Sequence, residues 1–187
     1  MVVGRNQVKI KESPAEKIFP LVCKKTRGFL LHRSMNIEYT FLTDKFCNDY
    51  QHDLYPQIEI KKDRPYAHIH VNAFGLLFGL PLRSHIDHPH AFFTNKKEKC
   101  GVDYSKAVVI TSEDYIDRTR KAFIRPDEYK KLVGKDFRIR KQFESYIELY
   151  KRAKIDDTVP HREKISKYSS LQYFEEYILK DTLKDSN

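Results

Sequence analysis

A chain of 187 residues, 40% hydrophobic and 13% aromatic, is long enough to bury one core and too short for two ordinary domains. Six Gly and eight Pro among plentiful Phe, Ile, Leu and Val exclude the disordered and fibrous classes, and no stretch approaches the 18 uninterrupted apolar residues of a spanning helix. Lys and Arg number 35 against 26 Asp and Glu, a formal charge of +9 that favours a polyanionic partner such as nucleic acid.

That charge is uneven. Residues 1–34 hold eight basic and two acidic side chains, a net +6, which leaves +3 for all the rest. The basic residues run throughout this leader and its Phe19–Cys23 stretch is too short for the apolar core of a secretory signal. It reads as a basic N-terminal extension on a single domain spanning 35–187. It is either an arm that touches a polyanion, a weakly ordered extension, or sequence upstream of an initiator at Met35. Cys23, Cys47 and Cys100 are odd in number and widely spaced, with no Cys-x-x-Cys, so neither a disulfide framework nor a structural zinc site is indicated, and a reducing cytoplasm fits best.

From Met35 onward, Ile37–Leu42 alternates as a strand, and Thr43-Asp44 is a natural N-cap for a helix reaching about His52. Pro56 and the run Glu59–Asp63 form a polar connection. Arg64-Pro65-Tyr66 then opens a strand with Tyr66, His68, His70 and Asn72 on a polar face and Ala67, Ile69 and Val71 toward the core. Turn residues at Asn72–Gly75 and a return strand from Leu76 to Leu82 complete a hairpin, with Pro81 marking its end or an edge. His90–Phe93 reads as a short strand, Asn95–Cys100 as a basic loop and Ala107–Ile110 as a buried strand. Pro126-Asp127-Glu128 starts a short helix that Gly134 can end. Phe137–Lys154 is amphipathic, with Ile139, Phe143, Tyr146, Ile147 and Tyr150 on one side. A last helix, capped near Ser169 or Ser170, places Leu171, Phe174 and Ile178 together. The expected class is α+β, with an antiparallel sheet, flanking helices and a helical C-terminal part.

Five of eight histidines (His68, His70, His85, His88 and His90) fall within 23 residues, and the window Lys61–Lys106 carries a net +4. Three readings of this cluster are open. His68 and His70 with a member of the His85, His88, His90 group could ligate a metal, although the surrounding positive charge opposes a cation. Imidazoles beside arginines also suit metal-free RNA cleavage, in which a 2′-hydroxyl attacks the neighbouring phosphorus: histidine moves protons near neutral pH and the arginine fork binds two phosphate oxygens. Finally, the histidines could be satisfied polar-face residues. Pro81-Leu82-Arg83-Ser84-His85 favours the second reading, because Ser84 should emerge at a strand end between basic neighbours. No G-x-S-x-G elbow supports a serine hydrolase.

Taken together, Arg64-Pro65-Tyr66, the hairpin, Pro81-Leu82-Arg83-Ser84, Phe92-Phe93-Thr94 and the run Cys100–Ile110 resemble the toxin component of type III toxin-antitoxin systems, in particular the TenpN branch related to ToxN and AbiQ. The resemblance starts near Met35 and covers about four fifths of the chain. It implies a partly barrel-like antiparallel sheet with flanking helices and a metal-independent, sequence-selective endoribonuclease that leaves a cyclic phosphate and needs no cofactor. It also implies a small tandem-repeat RNA antitoxin, cut from its precursor by the toxin and then bound, often in closed toxin-RNA assemblies. By the same resemblance, Ser84 and Arg64 fall on the hydroxyl-bearing and basic positions of the site. Such toxins place Thr before that serine and Lys shortly after it. Here Arg83 precedes it and His85-Ile86 follow, so Arg83, His85 and His88 become candidates for charge stabiliser and proton donor.

The sequence thus points to an endoribonuclease toxin with Arg64, Arg83, Ser84, His85 and His88 in its active site. Tyr66 and His68 are expected to face an unpaired base, and Lys61, Lys62, Lys96, Lys97 and Lys99 the RNA backbone. A non-catalytic RNA-binding module and a metal-dependent nuclease using the histidines are the alternatives. Since the local charge does not depend on the leader, removing residues 1–34 is expected to leave RNA cleavage within a few-fold of the full chain. Loss of cleavage in that truncation would bring the leader into the mechanism.

Overall fold

The computed structural model describes residues 37–61, 64–71 and 75–179, so the extension 1–34, Lys62 and the hairpin tip 72–74 lie outside the described residues. Seven antiparallel strands form the sheet: β1 (Glu38–Leu42), β2 (Tyr66–Val71), β3 (Leu76–Arg83), β4 (Ala91–Asn95), β5 (Cys100–Asp103), β6 (Val108–Ile110) and β7 (Ile116–Asp117). Helix α1 (Asp44–Asp49) follows β1. Helices α2 (Pro126–Leu132), α3 (Asp136–Ile155), α4 (Arg162–Tyr168) and α5 (Glu175–Ile178) gather at the C-terminal end, so the class is α+β as expected. The sheet runs β4-β5-β3-β2-β1-β7 with β6 also on β3, and it does not close on itself. Among the described residues, no helix is long and apolar enough to cross a membrane.

The local signals explain most of these elements. Thr43 caps α1 by accepting from the Phe46 amide at 3.4 Å, and its hydroxyl donates to the Asp114 carbonyl at 2.7 Å, which ties the helix start to the turn before β7. Pro126 sits in the first turn of α2, and Gly134, at φ 69°, supplies the left-handed residue that separates α2 from α3. The stripe Ile139, Phe143, Tyr146, Ile147 and Tyr150 is buried, and Phe143 meets Phe78 of β3 edge-on at 5.0 Å. The expected last helix is instead a 3-10 turn, Ser170–Tyr173, followed by α5. Phe174, at φ −126°, interrupts the helical path, while Leu171, Phe174 and Ile178 are buried together all the same.

β3 organises the sheet. It pairs with β2 along Leu76–Pro81, but its other edge is shared: Leu77–Gly79 pairs with β6 and Leu82–Arg83 with β5. The Leu82 amide points to the Pro65 carbonyl on the β2 side, at 2.9 Å. By the alternation of an antiparallel ladder, Pro81 therefore turns its N–H-less nitrogen to the opposite edge. That is where β3 leaves one partner and takes up the next, so no ladder bond is lost. Arg83 and the turn after it are thereby carried onto a separate small sheet with β4 and β5.

β5 and β7 were not expected as strands, nor α4 as a helix; β5 lies where a basic loop was expected to end. Its Gly101 packs against β4 so closely that a Cβ would stand 2.1 Å from the Phe92 carbonyl oxygen. One residue further along β4 the register shifts at Thr94, a bulge whose hydroxyl donates to the Cys100 carbonyl at 3.2 Å. A Gly101→Ala substitution must push the strands apart. We expect it to cost about 1 to 3 kcal/mol in urea denaturation, and an unchanged midpoint would mean that this approach does not constrain the fold.

Candidate active site

The loop 104–107 after β5 is the centre of the site. Asp103 ends β5 with its side chain fully buried, and its Oδ1 accepts from the Ser105 amide and from the Ser105 hydroxyl, both at 2.8 Å. Its Oδ2 accepts from Nη1 of Arg83, which arrives on the neighbouring strand. Arg83 Nη2 in turn bridges both oxygens of Glu59, at 2.9 and 2.8 Å. Behind the loop, the Ser170 amide donates to the Ser105 carbonyl at 2.9 Å, so the C-terminal 3-10 turn clamps it in place.

His88 completes the cluster. Its Nε2 lies 3.0 Å from Ser105 Oγ and 3.4 Å from Asp103 Oδ1. The Ser105 hydroxyl gives its hydrogen to Asp103, so toward His88 it accepts. This places an imidazole hydrogen on Nε2, while Nδ1 is buried and without a hydrogen-bond partner. Burial raises the Asp103 pKa, but the His88 hydrogen bond and charge, Arg83 and Ser105 outweigh it and the net shift is downward. The carboxylate is therefore ionised at neutral pH. Serine and carboxylate share one imidazole nitrogen here, whereas acyl transfer needs the imidazole between them, so the trio is not built as a serine hydrolase.

This cluster forms one wall of a cavity of about 810 Å³. Arg83, His85, His88, His90 and Lys106 line the sheet side, and Tyr146, Leu149, Arg152, Val159, His161 and Lys164 line the helix side. The His90 ring stacks near His88 at 5.8 Å and leans on Tyr146 at 5.1 Å; burial, with His88 beside it, lowers its pKa. Lys106 Nζ donates to Gln57 Oε1 at 2.6 Å and to the Tyr168 carbonyl at 3.0 Å. Burial lowers its pKa, partly offset by Glu59 and Asp103.

Of the catalytic candidates, the structure brings Arg83, His85 and His88 together on this cavity. Ser84 opens instead on a separate cleft of about 230 Å³, shared with Arg83, Phe123 and Arg125. Its hydroxyl is nevertheless 3.1 Å from His85 Nδ1, and His85 holds a left-handed backbone at φ 58°. Arg64 faces inward: it is 8% exposed and donates to the Glu59 carbonyl at 2.6 Å. Both arginines thus point at internal acceptors, which corrects the expectation that they stand open to a phosphate.

The expected polar face of β2 is also corrected. Tyr66 and His68 are 3% and 5% exposed, because β2 runs inside the sheet and both of its faces are covered there, so Tyr66 presents no ring to a base. Burial pushes the Tyr66 hydroxyl up to about 12. His68 lies among Arg118 and Glu113 rather than with His88 and His90, so the histidines close in sequence do not form a single cluster in space. Among the described residues, no three His, Cys, Asp or Glu side chains are arranged to hold a metal ion. Lys61, Lys96, Lys97 and Lys99 are exposed. Lys99 pairs with Asp87 on the lip of the cavity, and its carbonyl accepts from the Ile86 amide at 3.0 Å, which pins the Ser84–His90 turn.

Sequence reasoning missed Asp103, Ser105, Lys106, Glu59 and the helix wall. One signal was present: in Cys100-Gly-Val-Asp-Tyr-Ser-Lys-Ala-Val-Val-Ile110, three polar residues interrupt an apolar run, and buried polar groups must find partners. No protein-family model matches the chain, and neither a curated protein nor a solved structure matches it.

Burial, with Arg118 nearby, pushes His68 down from 6.5 to about 4. The folded chain refuses a proton that the unfolded chain accepts, so stability is full above pH 6.5 and falls as pH drops toward 4. The loss through this residue is about 3 kcal/mol at most. In urea melts at pH 7.5, 5.5 and 4.5, His68→Phe should flatten the decline; an equal decline in both proteins would place its origin elsewhere.

Proposed function

We propose that the chain is a metal-independent endoribonuclease toxin of the type III kind, which cleaves RNA by 2′-hydroxyl attack and is restrained by a small repeat RNA. The observation that carries this reading is His88, tethered through Nε2 to Ser105 and Asp103 on the wall of a large cavity lined by further imidazoles and cations. In this reaction the 2′-oxygen loses its proton to a base as it bonds to phosphorus. The 5′-oxygen leaves with a proton from an acid, and a 2′,3′-cyclic phosphate remains. His88 and His85 divide the two proton transfers, and the Lys106 ammonium offsets the charge that builds on the phosphoryl oxygens. Arg83 is a positioning residue that acts through Asp103. Ser84 orients His85. The RNA partner, its closed assembly with the protein and a cytoplasmic role in phage defence rest on the resemblance of the Arg64–Ile110 motifs and on the sparse cysteines. Exposed Lys61, Lys96, Lys97 and Lys99 would meet the RNA backbone.

A second reading, a non-catalytic RNA-binding module, is favoured by the internal pairing of Arg64 and Arg83, which removes the bidentate grip expected on a scissile phosphate. The two readings part on cleavage. Wild-type protein made without its RNA partner should cut RNA in EDTA, leave cyclic phosphate ends and arrest growth. His88→Ala should slow cleavage by about 10² to 10⁴, and Ser84→Ala should cost much less, because it only loosens His85. Salt-sensitive RNA binding without cleavage would establish the binding module, and cleavage that EDTA abolishes and a divalent ion restores would overturn the metal-free mechanism.

A further inference from the structure

The two walls of the cavity differ in how their charges are balanced. On the sheet side, Arg83 is held by Glu59 and Asp103, and Asp87 by Lys99. On the helix side, Arg152 lies in the last turn of α3 and His161 and Lys164 at the start of α4; among the described residues none of the three makes an ion pair. The acidic neighbour on this wall is Asp156, whose charge acts on Arg152 through space while its Oδ1 is occupied by the Thr158 amide at 2.8 Å and hydroxyl at 2.6 Å. Arg162, next in the chain, is paired with Asp157.

His161 adds a second observation. It follows Pro160 in a left-handed conformation, φ 58°, which a residue with a Cβ adopts at a cost of about 1 to 2 kcal/mol, and the turn it makes keeps it on the cavity. Leu149, Val159 and Ile165 supply apolar surface on the same wall. The volume of about 810 Å³ lies in the upper part of the usual range for ligand pockets, about 300 to 1,000 Å³.

We infer that Arg152, His161 and Lys164 form a second phosphate subsite, which takes the phosphate adjoining the one at His88, so that the ligand is an unpaired RNA segment lying across the cavity from sheet to helices. An RNA duplex keeps its phosphates on an outer rim and cannot thread such a cavity; a single strand can turn one phosphate to each wall. Basic groups without a direct ion pair are where an added anion gains most, because no hydrogen-bonded carboxylate has to be displaced. The inference rests on the RNA reading above but not on catalysis.

The test uses the full chain and a fluorescent 2′-O-methyl RNA of mixed sequence, which binds but is not cut. Anisotropy titrations at several salt concentrations compare wild type with Arg152→Gln, Lys164→Gln and their combination, and with Lys130→Gln/Lys131→Gln on the exposed face of α2 as control. The double cavity variant should lose about 0.7 from the slope of log affinity against log salt, the share of one phosphate contact on a single strand. The α2 control should change little, and melting curves identify any variant that is merely unfolded. In a cleavage arm, a methylphosphonate beside the mapped scissile phosphate should slow wild type at least ten-fold and leave the double variant indifferent. Equal slopes for the cavity and control variants would overturn the subsite even if the enzyme cuts RNA. Wild type that binds RNA without cutting it, with the slope difference intact, would sink the catalytic reading and keep the subsite. Absence of RNA binding would end both.

Discussion

A carboxylate with no access to water must be answered by its surroundings, and Asp103 sets that demand here. Four groups meet it: the Ser105 amide and hydroxyl, the Arg83 guanidinium and the His88 imidazole. They come from three local contexts, so satisfying one charge fixes the end of β3, the loop after β5 and the turn before β4 relative to one another. Glu59 extends the network to the connection ahead of β2, where it also receives Arg64 at 3.8 Å. A buried ion network of this kind adds little net stability over an apolar equivalent, but removing a single member is costly, so it ties these segments into one arrangement.

The sheet makes that convergence possible. Because β3 changes partner at Pro81, its first half belongs to the main sheet and its end to the smaller sheet of β4 and β5. Arg83 can then leave one sheet and reach the carboxylate of the other. The close approach of β4 and β5 at Gly101 and the bulge at Thr94 aim the residues on either side of the pair, so that the carbonyl of His90 accepts from the Tyr104 amide at 3.1 Å and brings the two histidine-bearing and serine-bearing turns together.

Much of the fold was legible. Thr43, Pro126 and Gly134 act through local backbone chemistry, and the stripe on α3 acts through its period, so each could be read without knowing its neighbours. The hairpin of β2 and β3 was legible for the same reason. The burial of Tyr66 and His68 was not, because alternation tells which residues share a face and not whether a second layer covers it. The site divides along the same line. Ser84, at the end of β3, was placed correctly along the chain, but the side toward which it opens depends on the packing of α2 and the segment around Phe123. Arg64 and Arg83 were recognisable as a pair, yet Arg83's acceptors, Glu59 and Asp103, lie 24 and 20 residues away, and Glu59, five residues before Arg64, gave no sign that it would hold both; the acceptor decides what an arginine is free to do. The helix wall, built from residues far downstream of the histidines, left no mark at any short spacing.

The clamp of Ser170 on Ser105 spans 65 residues of sequence. A chain emerging from the ribosome has made β3, β4 and β5 long before that serine appears, and the helix side of the cavity, from α3 and α4, is completed only shortly before it. Nascent and prematurely terminated chains therefore carry the acidic, basic and imidazole groups without the frame that aligns them. The finished cavity arises only once the segment carrying Ser170 has been made, which gives any partner that recognises it a defined instant at which to arrive.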